Sequence, residues 1–121
     1  MALTDFGKAL RKARIDIDYT LRTMAEELET SPAYLSCLET GSKKISKSWI
    51  DKINSFLRNK GVEVDELELE VLANISNQSV PLDGLSQQHK MLVAGFAHSP
   101  FTPSQLKKFA KLLEEVSEGN K

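Results

Sequence analysis

Again and again in this chain a Ser or Thr stands directly before a run whose apolar residues recur every three or four positions, and the run then stops at a turn. A side-chain oxygen in that place caps the orphan N–H groups of a helix start, and the spacing puts the apolar residues on one helical face. Thr4 precedes a first helix through about Arg14, with Phe6, Leu10 and Ala13 inward, and "DIDY" ends it. Thr20 precedes "LRTMAEEL", in which Leu21, Met24, Ala25 and Leu28 share a stripe. Ser31 followed by Pro32 is a cap-then-Pro start for a third helix, and Gly41 stops it. Ser46 or Ser48 opens a fourth, with Trp49, Ile50, Ile53, Phe56 and Leu57 at helical spacing and Gly61 at its end.

The stretch "VEVDELELEVLANI" fits two periods. Val62/Val64 and Leu67/Leu69/Val71 alternate as in a strand, whereas Val64, Leu67, Val71, Leu72 and Ile75 fit a helix that begins after Asp65. Nothing nearby could pair with a strand, and an unpaired strand is unstable, so a helix is expected. "SNQSVPLDG" then reads as a linker. Two further helices follow, one from about Ser86 to Ala97 and one, capped by Thr102, from about Pro103 to Ser117. The latter carries a stripe of Leu106, Phe109, Ala110, Leu113 and Val116, and the short "HSPFTP" turn predicts an antiparallel hairpin. The expected architecture is all-α: a five-helix domain over residues 1–75, then a linker and helical hairpin over 76–121.

Length and composition agree with this. A chain of 121 residues, 40% hydrophobic and 27% charged, is ordinary for a soluble globular protein with a real core. The single cysteine, Cys37, excludes an intramolecular disulfide framework and a cysteine-based zinc cluster. No apolar run approaches a membrane span and "MALTDFGK" lacks a signal-peptide pattern, so a cytoplasmic protein without membrane contact is expected. The net charge of −1 hides an asymmetry. Residues 1–60 hold 11 Lys/Arg against 8 Asp/Glu, while residues 61–121 hold 5 against 9, so the positive charge gathers in the first half.

Two helices joined by "ETS", the second ending in glycine and a basic loop, make a helix-turn-helix candidate. At 3.6 residues per turn, Pro32, Ala33, Ser36, Cys37 and Thr40 share one arc of about 140°, while Tyr34, Leu35 and Leu38 lie on the other side. One face is anchored. The other presents small side chains, which let a helix approach base edges in a major groove about 12 Å wide. Lys43, Lys44 and Lys47 flank it where phosphates would lie.

"TLRTMAEEL" followed by "SPAYLSCLETG" resembles the Cro/CI-type (XRE family) helix-turn-helix of phage repressors and bacterial regulators, with their lambda-repressor-like DNA-binding domain. The resemblance covers residues 4 to about 60 and is most specific at Ala25 and in the "YLSCLETG" run. It implies a five-helix domain that binds operators as a dimer. It further implies base-facing positions at Ala33, Ser36 and Cys37, and backbone contacts from Ser31, Tyr34, Lys43, Lys44 and Lys47. Family members often meet a phosphate through a glutamine at the start of the second helix. Leu21 stands there, so that contact would fall to backbone N–H groups or Arg22. The family's pairing of a late helix-one arginine with the glutamate that ends the recognition helix maps onto Arg14 and Glu39, a structural ion pair.

Other chemistries find less support. Cys37 reads as a small side chain rather than a redox switch. His89 and His98 lack a metal-ligand pattern, and no nucleophile motif accompanies the Ser, His and Asp residues, so no enzyme, metal or cofactor is expected. The acidic "EVDELELE" reads as a solvated helix face. The expected function is a homodimeric, sequence-specific repressor on a pseudo-palindromic double-stranded operator, regulating its own gene. Phe96, Phe101 and Phe109, with Leu106, Leu112, Leu113 and Val116, would form the dimer contact. The alternative is an antitoxin that binds a toxin protein and represses its own operon. An activator contacting polymerase is a third possibility.

Overall fold

Each helix start in the computed structural model is closed by the side chain just ahead of it. The structure describes residues 2–63 and 65–119, without the side chains of residues 66 and 67. Among these the chain forms seven helices and no strand: α1 (Asp5–Asp16), α2 (Leu21–Glu27), α3 (Pro32–Thr40), α4 (Lys47–Asn59), α5 (Glu66–Asn77), α6 (Gln87–His98) and α7 (Pro103–Gly119). Thr4, Ser31, Ser46, Asp65 and Ser86 each accept a backbone N–H three residues on. Thr20 and Thr23 bond reciprocally, as do Thr102 and Gln105, so α2 and α7 begin in full capping boxes. None of these helices is long and apolar enough to cross a membrane.

The described helices divide into two units, the first ending at Pro81. The core of the first is centred on Phe6 and Leu10 of α1, Met24 of α2, Leu28, Leu35 and Leu38 of α3, and Ile53 of α4, all fully buried. Burying side chains of this size contributes about 1.5–3 kcal/mol each. α1 runs against α2, α3 and α5, and α2 packs on α3. Across from them, Lys60 at the end of α4 reaches Glu27 of α2 at 3.0 Å and lies 5.3 Å from the Tyr19 ring centre. Hydrogen bonding from Tyr19, then from Lys60, lowers the pKa of the exposed Glu27 carboxyl.

One expectation is refined and two need correction. Of the α4 stripe, Ile50, Ile53, Phe56 and Leu57 are buried, whereas Trp49 is half-buried at the rim, its ring 5.5 Å from that of Tyr34. The inward stripe of α5 is Leu69 and Ala73 with Leu72 half-buried, while Val71 and Ile75 are exposed. α5 begins at Glu66, directly after Asp65 as expected, and its packing against α1 and α4 decides which face turns inward; Val64 and the Leu67 side chain lie outside the described residues. The first unit also extends beyond residue 75, because α5 continues to Asn77, whose side chain is engaged with the unit's own backbone.

The second unit is organised differently. Phe96 of α6, Phe101 in the connection and Phe109 of α7 pack together with ring centres 4.9–5.0 Å apart. Neither helix holds a buried residue.

Candidate nucleic-acid interface

The α2–α3 pair is held from behind by a buried charge pair. Arg14 is 7% exposed and Glu39 3%, and the guanidinium grips the carboxylate with both terminal nitrogens, Nη2 lying 3.3 Å from Oε1. Arg14 Nη1 also lies 3.9 Å from Met24 Sδ, so one side chain touches α2 and α3 together. The pair expected from the sequence is therefore present, and it is structural. The same end of α3 is fixed a second time: the Glu39 carbonyl accepts both the Thr4 N–H (3.0 Å) and the Thr4 hydroxyl (2.9 Å). Gly7 permits this approach, since a Cβ there would stand 2.2 Å from the Glu39 carbonyl oxygen.

The turn into α3 is equally fixed. Glu29 adopts a left-handed φ of 60°, and the Thr30 N–H returns to the Ala25 carbonyl at 2.9 Å, closing the end of α2. The Ser31 hydroxyl accepts the Tyr34 N–H at 3.0 Å, so that side chain serves the cap. Tyr34 leans on Trp49 and is half-buried. On the opposite face Ala33 is exposed, and Pro32, Ser36, Cys37 and Thr40 are partly exposed, as the helical arc predicts. The face holds no Arg, Asn or Gln. At the start of α2, Leu21 packs against the core while Arg22 is exposed, which leaves Arg22 as the polar side chain there.

Past Gly41, which takes φ 82°, the chain turns through Ser42, Lys43 and Lys44. Both lysines are exposed, and the Lys43 N–H returns to the Cys37 carbonyl at 3.3 Å. Buried Ile45 anchors this segment, and the Asn77 amide bonds both backbone groups of Ile45, accepting its N–H at 2.7 Å and donating to its carbonyl at 2.8 Å. Asn77 belongs to the "SNQSVPLDG" segment expected to be a linker, yet it ends α5. An asparagine at a helix end usually signals only a cap, so nothing in the sequence pointed to this role; Gly7 did carry a signal, as a lone glycine inside a helical pattern. Lys47 differs from the other two lysines. Its ammonium lies 3.4 Å from Asp51 and 3.7 Å from Glu70, in an exposed network that is worth little in water.

In the second unit the phenylalanines proposed for a dimer contact pack on one another within the chain. Leu106, Leu112, Leu113 and Val116 of α7 are exposed. Among the described residues no group of three or more His, Cys, Asp or Glu side chains could hold a metal ion. Comparison of the chain with protein-family models, with curated proteins and with solved structures finds no match.

Proposed function

We propose that this chain is a sequence-specific DNA-binding repressor of the lambda-repressor-like, XRE type, acting as a homodimer. One observation carries the reading: α3 is clamped to α1 and α2 through Glu39, while its outer face presents only small side chains ending in an exposed Lys43–Lys44 turn. A helix so placed can enter a major groove with its lysines directed at the phosphates on the groove's edge. With no bidentate base reader on α3, discrimination per half-site is weak. Specificity then rests on methyl contacts from Ala33 and Thr40, on Ser36 and Cys37, and on DNA shape. A dimer supplies the remainder by joining two half-sites about one helical turn apart.

Footprinting on the DNA immediately upstream of the chain's own gene tests the reading. Protection of two half-sites in about 10–10.5 bp register is the expected result, and no protection at low salt would count against it. The uncovered apolar face of α7 favours a second reading, an antitoxin whose second unit engages a toxin protein. Co-purification with the product of an adjacent gene would support that one.

A further inference from the structure

The outward surface of α3 continues onto α4. Tyr34 stands about 60° round α3 from Cys37, at the edge where the small-residue face gives way to the core side. From there the Tyr34 and Trp49 rings meet with centres 5.5 Å apart, and the Lys52 ammonium lies 4.9 Å from the centre of the Trp49 ring. Trp49 and Lys52 are three residues apart in α4 and so share one of its faces. Cys37, Tyr34, Trp49 and Lys52 thus form one strip across two helices.

Packing alone does not account for the residue types in this strip. Both rings are half-buried, yet neither the Tyr34 hydroxyl nor the Trp49 indole N–H bonds to another group among the described residues, and both polar ends reach solvent. Large rings with one apolar side and one wet donor are typical of contact surfaces. Lys52 is exposed and pairs with no carboxylate among the described residues; its neighbour Asp51 is engaged by Lys47 at 3.4 Å. The strip therefore offers three donors to a partner that supplies only acceptors and negative charge. Phosphate oxygens on a nucleic-acid strand are such acceptors, and Lys and Tyr side chains commonly bond them. The strip also borders the first turn of α3, and it is the N-terminal residues of a reading helix that meet base edges.

We infer that Trp49 and Lys52, joined to α3 through Tyr34, hold the sugar–phosphate strand that runs beside the first turn of α3. The inference rests on the DNA-binding reading above and carries its interface from α3 onto α4. Lys43 and Lys44 stand past the other end of α3, so the two contacts together set how the helix lies in the groove.

The test uses the full-length chain and a short random-sequence duplex at low salt, since phosphate contacts do not depend on sequence. Anisotropy of an end-labelled duplex reports binding. Emission from Trp49, the only tryptophan in the chain, reports contact at the strip and is read with unlabelled duplex. That emission is expected to change as duplex is added and to return as salt displaces it. Lys52→Ala should lower the slope of log K against log salt by about one unit, which a merely structural lysine would not do. Tyr34→Phe and Trp49→Phe each keep a ring in the stack and remove one neutral donor. Each is expected to weaken binding about tenfold while leaving the salt slope intact. Constant Trp49 emission while the labelled duplex is bound would overturn the inference, as would a Lys52→Ala protein with the wild-type salt slope. No anisotropy change with the wild-type chain would overturn the DNA-binding reading itself, and the strip with it.

Discussion

The side-chain amide of Asn77, the last residue of α5, bonds both the N–H and the C=O of Ile45, 32 positions earlier in the chain. The pairing mimics one rung of a sheet and holds the turn that carries Lys43 and Lys44. Asn77→Ala leaves two backbone groups at a part-buried site unsatisfied, at a cost of about 1–3 kcal/mol. Asn77→Asp keeps the acceptor and loses the donor. Denaturant titration should rank wild type above Asp and Asp above Ala, and DNA affinity is expected to fall in the same order. Equal stability for all three would remove Asn77 from this role.

The three lysines are expected to separate. If Lys43 and Lys44 meet phosphates, replacing either by Ala weakens binding alike on operator and random DNA. The slope of log K against log salt drops by about one unit for each. Lys47 must leave Asp51 and Glu70 to reach a phosphate, so Lys47→Ala has the smaller effect on affinity. A salt slope unmoved by any of the three would exclude them from the interface.

Arg14 and Glu39 predict a non-additive pair. Glu39→Ala strands a buried guanidinium and should cost about 3–5 kcal/mol, and Arg14→Ala strands the carboxylate similarly. The double change Arg14→Met with Glu39→Leu fills much of the space without charge and is expected to lose far less than the two single losses combined. Simple additivity in chemical denaturation would mean that the two side chains do not act as a pair.

How far the sequence disclosed this arrangement depended on the range of the forces involved. Caps and stripes act within one or two turns, so Thr4, Thr20, Ser31 and Thr102 announce their helices directly. The outer arc of α3 follows from helical period alone. What periodicity cannot supply is which of two overlapping apolar stripes meets the neighbouring helices, and so α5 presents Leu69 and Ala73 to α1 and α4 rather than Val71 and Ile75. Nor can it supply contacts made across long separations: Asn77 with Ile45 spans 32 residues and Thr4 with Glu39 spans 35. Spacing also does not separate Trp49, which stacks on Tyr34 at the rim, from the buried members of its stripe.

Ala33 tests whether α3 is the reading helix. Its side chain is exposed on the outer arc, so Ala33→Glu is expected to change stability by less than about 0.5 kcal/mol. The carboxylate would meet base edges and phosphates, and operator binding should be lost. Near wild-type affinity in a gel-shift titration of a folded Ala33→Glu protein would rule out α3.

The last prediction concerns the first unit by itself. Its core draws on α1 through α5 and is closed without any residue beyond Pro81. Asn77, the outermost of its fixing contacts, is also retained by a chain ended there. Such a chain is therefore expected to unfold cooperatively, with the Arg14–Glu39 pair and the α3 face intact. It lacks α7, so it should remain monomeric and meet one half-site at a time. Two linked domains gain from the high effective concentration of the second once the first is bound, a gain of about 10²–10⁴ in avidity. The truncated chain should lose most of that on a full operator while matching the full-length protein on an isolated half-site. Light scattering and half-site titration give the two readings. A truncated protein that still dimerises would place the dimer contact in the first unit rather than in α7.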